Sequence, residues 1–254
     1  MSIYIKVNMV RCMIIENSED QLAYNLGLSD CDDAIISNDQ DLLTGSSPAI
    51  FWIRNGINLR RLGRFKEALE SFEKAIQLEP SNVYCWINKA VVLNQLKKYE
   101  EAVVSSNKAL ALDSCQSKIW IVKGFSLHNL EKYEEASESY AAAIQLDPQG
   151  SDGRRSWNNR GAALDNLRRH DDAIECYDEA IMIDPFDVYA WNNKGVALVA
   201  LDKHADAIKC FQKAIEFEPT YATAWQNLGL ALKSLNLNLE GERALDRARE
   251  LELI

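Results

Sequence analysis

Histidine, methionine and proline are scarce in this sequence, with three, four and five residues in a chain of 254. Three histidines supply a zinc site poorly. The six cysteines (Cys12, Cys31, Cys85, Cys115, Cys176 and Cys210) form no C-x-x-C pair and no metal-ligand spacing. No metal and no cofactor is therefore expected. No apolar run approaches the ~18 residues of a membrane span. The first fifteen residues, MSIYIKVNMVRCMII, are broken by Lys6, Asn8 and Arg11 and make a poor signal peptide. Basic residues are the minority charge, 28 Lys+Arg against 38 Asp+Glu, for a net charge of −10. A surface that neutralises phosphate needs the opposite balance, so neither nucleic acid nor an anionic membrane is an expected partner. P-loop, G-x-G-x-x-G, H-E-x-x-H and G-x-S-x-G motifs are all absent, and an enzyme reading has nothing to stand on. With 47% hydrophobic and 26% charged residues the chain nonetheless has the composition of a folded protein, and it reads as reduced and cytoplasmic.

What the sequence does have is spacing. Its six tryptophans stand at 52, 86, 120, 157, 191 and 225, with gaps of 34, 34, 37, 34 and 34 residues. Four residues after each comes Gly56, Ala90, Gly124, Gly161, Gly195 or Gly229, and seven after it a leucine, from Leu59 to Leu232. Later in each unit fall Ala68, Ala102, Ala136, Ala173 and Ala207, with Gly241 in the last, and then Ala75 through Ala248. Pro80, Pro148, Pro185 and Pro219 close four units, while Ser114 holds the equivalent place in the second. Self-similarity at a fixed period of this length is the mark of a repeat architecture.

Each unit reads as two amphipathic helices. Trp52, Gly56 and Leu59 share one arc of a first helix, and Ala68, Phe72 and Ala75 one stripe of a second. The turn between them falls at Leu62-Gly63-Arg64-Phe65, and the acid-Pro step ends the second helix because the residue before proline is pushed out of the α region. Neither helix pair can bury its stripe alone, but stacked neighbours can.

These residues resemble the tetratricopeptide repeat (TPR), whose W-x2-L-G-x2-Y…A-x3-F…A…P pattern is matched in six units: 49–82, 83–116, 117–150, 154–187, 188–221 and 222–254. Leucine replaces the usual tyrosine throughout, and Ser106 and Leu245 depart from the aromatic position held by Phe72, Tyr140, Tyr177 and Phe211. Ser151-Asp152-Gly153 is a short insertion. The resemblance implies an all-α fold, a right-handed α-solenoid superhelix of helix-turn-helix units, acting as a protein-interaction scaffold. The equally placed tryptophans are then core packing rather than ligand-stacking rings. His170 and His204, where other units have Phe65, Tyr99 and Tyr133, are aromatic stand-ins rather than metal ligands.

Residues 1–48 lack tryptophan and are acidic and rich in Asn and Ser. Asp32-Asp33-Ala34-Ile35 echoes Asp171-Asp172-Ala173-Ile174, and Ser18-x-x-Gln21 could cap a helix through Leu28. The segment reads either as a degenerate repeat over 15–48 or as a leader outside the repeat pattern.

In TPR solenoids the first helices line a groove, with positions 2, 5, 6, 9, 12 and 13 of each unit facing it. The first fourteen residues of the six units hold eleven basic residues against the single acid Asp165, a net +10; the remainder of the chain has 17 bases and 37 acids. This asymmetry suits either a family habit of acidic outer helices or an electropositive groove for an anionic ligand. Asn88, Asn159, Asn193 and Asn227 recur at position 6, where the resemblance implies amides that hold a peptide backbone. Ile53, Ile57, Ile87, Val91, Ile121 and Phe125 make an apolar strip across the first three units, which is a binding surface unless residues 1–48 cover it. With Arg54, Arg155 and Arg160 as attracting charges, the expected ligand is an extended acidic peptide with an apolar anchor. The clamp by which some TPR grooves grip chaperone tails is missing, since no unit has a base at position 5 or an asparagine at position 9. The rival readings are an RNA-associated helical repeat using the same basic face and a regulatory fragment of a larger enzyme.

Overall fold

A computed structural model of the chain describes residues 24–26 and 47–252. Twelve helices follow one another in six pairs: α1 (Pro48–Arg61) with α2 (Phe65–Leu78), α3 (Val83–Gln95) with α4 (Tyr99–Leu112), α5 (Ser117–Asn129) with α6 (Tyr133–Leu146), α7 (Ser151–Asn166) with α8 (His170–Ile183), α9 (Val188–Ala200) with α10 (His204–Phe217), and α11 (Ala222–Ser234) with α12 (Asn238–Glu252). Tyr24, Asn25 and Leu26 are helical as well. No strand occurs among the described residues. The fold is all-α, an α-solenoid of helix-turn-helix units. Two compact units share it: one holds 24–26 and 47–156, the other begins at Trp157. The signals over 15–23 and 27–46, including the proposed cap at Ser18 and the Asp32-Asp33-Ala34-Ile35 echo, lie outside the described residues.

Close approach of the paired helices follows from the small residue four places after tryptophan. A Cβ on Gly56 would stand 2.7 Å from the Phe72 ring, and one on Gly124 equally near Tyr140. The aromatic rings Phe72, Tyr140, Tyr177 and Phe211 are at most 1% exposed and lie between the helices of four of the six pairs. Tryptophan sits at the edge of that core rather than in it. Each indole is partly buried. Four of them tie back through the indole N–H to the end of the preceding unit, with Trp86 donating to the Pro80 carbonyl at 2.8 Å, Trp191 to Pro185 at 2.9 Å and Trp225 to Pro219 at 2.9 Å. Trp120 makes the same bond to Ser114 at 3.1 Å, so the second unit keeps its junction without a proline.

The turns within pairs are alike in backbone. Lys98, Lys132 and Lys203 donate their amides to the carbonyls of Leu93, Leu127 and Leu198, five residues back. This six-to-one closure places the intervening residue in the left-handed region. Gly63 occupies it at φ 72°, but Lys97, Glu131, Arg168, Asp202 and Asn236 occupy it in the other units at φ 58° to 63°.

The insertion at 151–153 becomes the first turn of α7. The Asp147 carboxylate accepts from the amides of Gly150 at 3.0 Å, Asp152 at 3.2 Å and Gly153 at 3.3 Å, satisfying the open N–H groups of that turn.

Candidate functional site

The apolar strip is not open surface. Ile53 and Ile57 join Phe72, Ala75 and Cys85 in one cluster, and Ile87 joins Ala109 and Ile119 in another. Ile121 is wholly buried. Val91 and Phe125 belong to a third cluster with Ala90, Leu93, Ala102 and Val122, and its remaining member is Leu26. That leucine has no exposed surface, while Val91 and Phe125 retain 1% and 4%. A residue from outside the six repeats therefore closes the middle of the strip. Two residues earlier, the Tyr24 ring carries the Arg154 guanidinium 5.2 Å from its centroid, a cation–π contact.

The position-6 asparagines are also buried, at 1% to 5% exposure. Asn88 donates from Nδ2 to the Tyr84 carbonyl of its own helix at 2.9 Å. In the later repeats the amides bond one another. Asn193 Nδ2 donates to Asn158 Oδ1 at 3.1 Å, and Asn227 Nδ2 donates to Asn192 Oδ1 at 2.9 Å. Position 6 of one repeat thus holds position 5 of the repeat before it. Where position 5 is isoleucine, in the first three repeats, no such link can form. Asn159 is 5% exposed. Of these asparagines, Asn88 and Asn227 have an Oδ1 buried without a hydrogen-bond partner.

Several of the eleven bases do not face a groove. Lys89, Lys123, Arg160 and Lys194, each three residues after a tryptophan, lie over the rings of Trp86, Trp120, Trp157 and Trp191 at 5.4 to 6.0 Å. Lys89 also pairs with Glu73 at 2.9 Å, and Lys194 with Asp178. Arg160, expected from the sequence as an attracting charge, is thus engaged on the tryptophan side of its helix. Arg155 is 5% exposed and bonded to Asp152 at 2.5 Å, and that same carboxylate accepts from the Ser117 hydroxyl. Arg54 remains exposed at its surface position. Asp165, the one acid in the first fourteen residues of any unit, faces its own partner helix: Oδ1 meets His170 Nδ1 and Oδ2 accepts from the Tyr177 hydroxyl, both at 2.8 Å. Burial raises its pKa, against the opposing pull of those two hydrogen bonds. His170 is an aromatic stand-in that has gained a carboxylate contact.

Burial also disfavours the thiolate form of three cysteines. It pushes Cys176 and Cys210 up to about 11 and Cys85 up to about 12. Among the described residues no group of three or more His, Cys, Asp or Glu side chains is placed to hold a metal ion, and no helix is long and apolar enough to cross a membrane.

Sequence models of the tetratricopeptide repeat match residues 49–82, 71–104, 117–149, 155–187, 188–221 and 210–244. A search of curated proteins finds no match. Among solved structures, MamA of Desulfovibrio magneticus RS-1 is similar at 23% identity and TM-score 0.62, over 69% of this chain and 98% of that one. YrrB, described as a TPR protein with an unusual peptide-binding site, is 23% identical with TM-score 0.55, over 72% of this chain and 93% of its own. PilW, described as a widely conserved type IV pilus biogenesis factor, aligns at TM-score 0.72 and 17% identity, over 79% and 91% of the two chains. At these identities the likeness speaks to the fold alone. Those matches, which together cover more than half of the chain, carry the assignment: the chain belongs to the tetratricopeptide repeat family of protein-interaction scaffolds.

Proposed function

We propose that the chain is a non-enzymatic adaptor that binds an acidic peptide, anchored by one apolar side chain, on the first helices of its N-terminal three repeats. The observation that carries this reading is the seat of Leu26 among Val91, Val122 and Phe125. Those repeats offer a site into which a leucine fits with complete burial, and complete burial of such a side chain contributes about 1.5–3 kcal/mol. By sequence, the first three repeats carry bases at groove positions, Arg54 at position 6, Arg61 at 13 and Lys118 at 2, while Arg60 at position 12 is buried. Such charges set association rate and choice of partner more than affinity. Binding should therefore weaken with salt while the anchored leucine keeps a salt-resistant part.

Selection of displayed random peptides on the full chain tests the proposal. Enrichment of acidic sequences with a central aliphatic residue, whose binding falls when the exposed Arg54 is changed to glutamate, is the expected result. Enrichment of basic peptides, or of sequences indifferent to Arg54→Glu, would contradict it.

A further inference from the structure

We infer that the segment around Tyr24–Leu26 is a built-in occupant of this site, which a partner peptide must displace. The inference rests on the peptide-binding reading above and names the competitor that regulates it. Leu26 is completely buried and belongs to one apolar cluster with Val91, Val122 and Phe125, which puts it in the anchor position. Tyr24 adds a second contact by lying against Arg154. The flanking chemistry matches the ligand expected for such a surface. Between residues 12 and 47 the chain has eight acids (Glu16, Glu19, Asp20, Asp30, Asp32, Asp33, Asp39 and Asp41) and not one lysine, arginine or histidine. An acidic stretch that seats Leu26 is the same class of peptide that the bases and the apolar seat select.

Tethering gives this occupant its strength. A segment joined to its site by a short linker acts at an effective concentration in the millimolar range, so a free peptide of equal intrinsic affinity competes poorly against it. The apparent affinity of any partner is then reduced by the fraction of chains whose site is open. A partner succeeds by binding more tightly than the internal segment or by taking hold of that segment itself.

The test is a titration of a fluorescein-labelled synthetic peptide of residues 19–33 with the full-length chain and with its Tyr24→Ala/Leu26→Asp variant. The expected result is about tenfold or greater tightening in the variant, because the tethered competitor is gone. Equal, measurable affinity for both proteins would overturn the internal occupant while leaving the peptide site standing. No binding to either would overturn the peptide-binding reading and the occupant with it. Leu26→Ala, a milder change, should move affinity in the same direction if the double variant folds poorly by circular dichroism. Sedimentation of the wild type settles whose segment is seated: a monomer is expected, and a dimer that dissociates on Leu26→Asp would place the segment on a second copy and overturn occupancy within one chain.

Discussion

Cε1 of Tyr177 lies 2.6 Å from where a Cβ on Gly161 would stand. The glycine is therefore a packing residue, and its partner twenty places beyond the tryptophan sets the demand. The second repeat shows the reverse pairing, with Ala90 on the first helix and the small Ser106 opposite, where its hydroxyl is buried without a hydrogen-bond partner. Gly161→Ala should destabilise by about 1–3 kcal/mol, the cost of overpacking exceeding the ~1 kcal/mol that alanine gains in a helix. In the second repeat, Ser106→Phe should be tolerated better when combined with Ala90→Gly than alone. Urea denaturation of the four proteins measures the coupling; additive effects would contradict the pairing.

Left-handed turn residues give a stabilising prediction. Lys97, Glu131 and Arg168 hold φ between 58° and 62°, where a side chain is strained and glycine is not. Lys97→Gly and Glu131→Gly should each raise stability by about 0.5–1 kcal/mol, after the entropy that glycine gains in the unfolded chain is deducted. Gly63→Ala should cost about 1 kcal/mol from backbone strain alone, since no atom stands within 4 Å of the new Cβ. Lower denaturation midpoints for both glycine variants would refute the assignment of strain.

The asparagine ladder makes a different demand. Asn192→Ala removes the acceptor of Asn227 Nδ2, leaving a buried donor in a side chain whose Oδ1 already lacks a partner. The loss should be about 1–3 kcal/mol. Asn192→Ala/Asn227→Leu, which removes both polar groups, should recover part of it in thermal unfolding. No recovery would mean that the ladder's hydrogen bond is not the cause.

His128 supplies a pH dependence. Burial lowers its pKa from the ordinary 6.5 to about 4, with the ring set edge-on to Tyr133 at 5.1 Å between centroids. The unfolded chain therefore binds a proton between those values that the folded chain refuses. Stability is fully present above pH ~6.5 and is lost as pH falls toward 4, by up to about 3 kcal/mol. The ring keeps some exposure, which makes that figure an upper limit. The difference in stability between wild type and His128→Gln, followed from pH 7 to 4, isolates this contribution from that of the carboxylates. A difference independent of pH would show the imidazole titrating normally.

Most of the fold was legible because its signals are local and repeated. The 34-residue spacing of tryptophan, small residue, leucine and alanine placed both helices of every unit. The site was legible only in its residue types. One count of charge covered all first-helix bases, although Lys89, Lys123, Arg160 and Lys194, at a common offset from tryptophan, turn toward the indole. The asparagine ladder depends on pairs 35 residues apart, and a pattern read within single repeats does not reveal it. Lys97 and Glu131 gave no turn signal because hydrogen bonding within the turn overrides their preference. Leu26 lies in a segment that the sequence reads as a degenerate repeat or a leader able to cover the strip, but no tryptophan marks its register, so the pattern does not single out this leucine as the buried one.

The most direct test of peptide binding on the first helices is to locate the anchor. The peptide of residues 19–33, carrying photoleucine in place of Leu26, can be cross-linked to the full-length Tyr24→Ala/Leu26→Asp variant and the adducts mapped by mass spectrometry. Binding at the proposed seat places the adducts on α3 and α5, at or beside Val91, Val122 and Phe125. Adducts confined to second helices such as α4 and α6, or spread evenly over the chain, would contradict it.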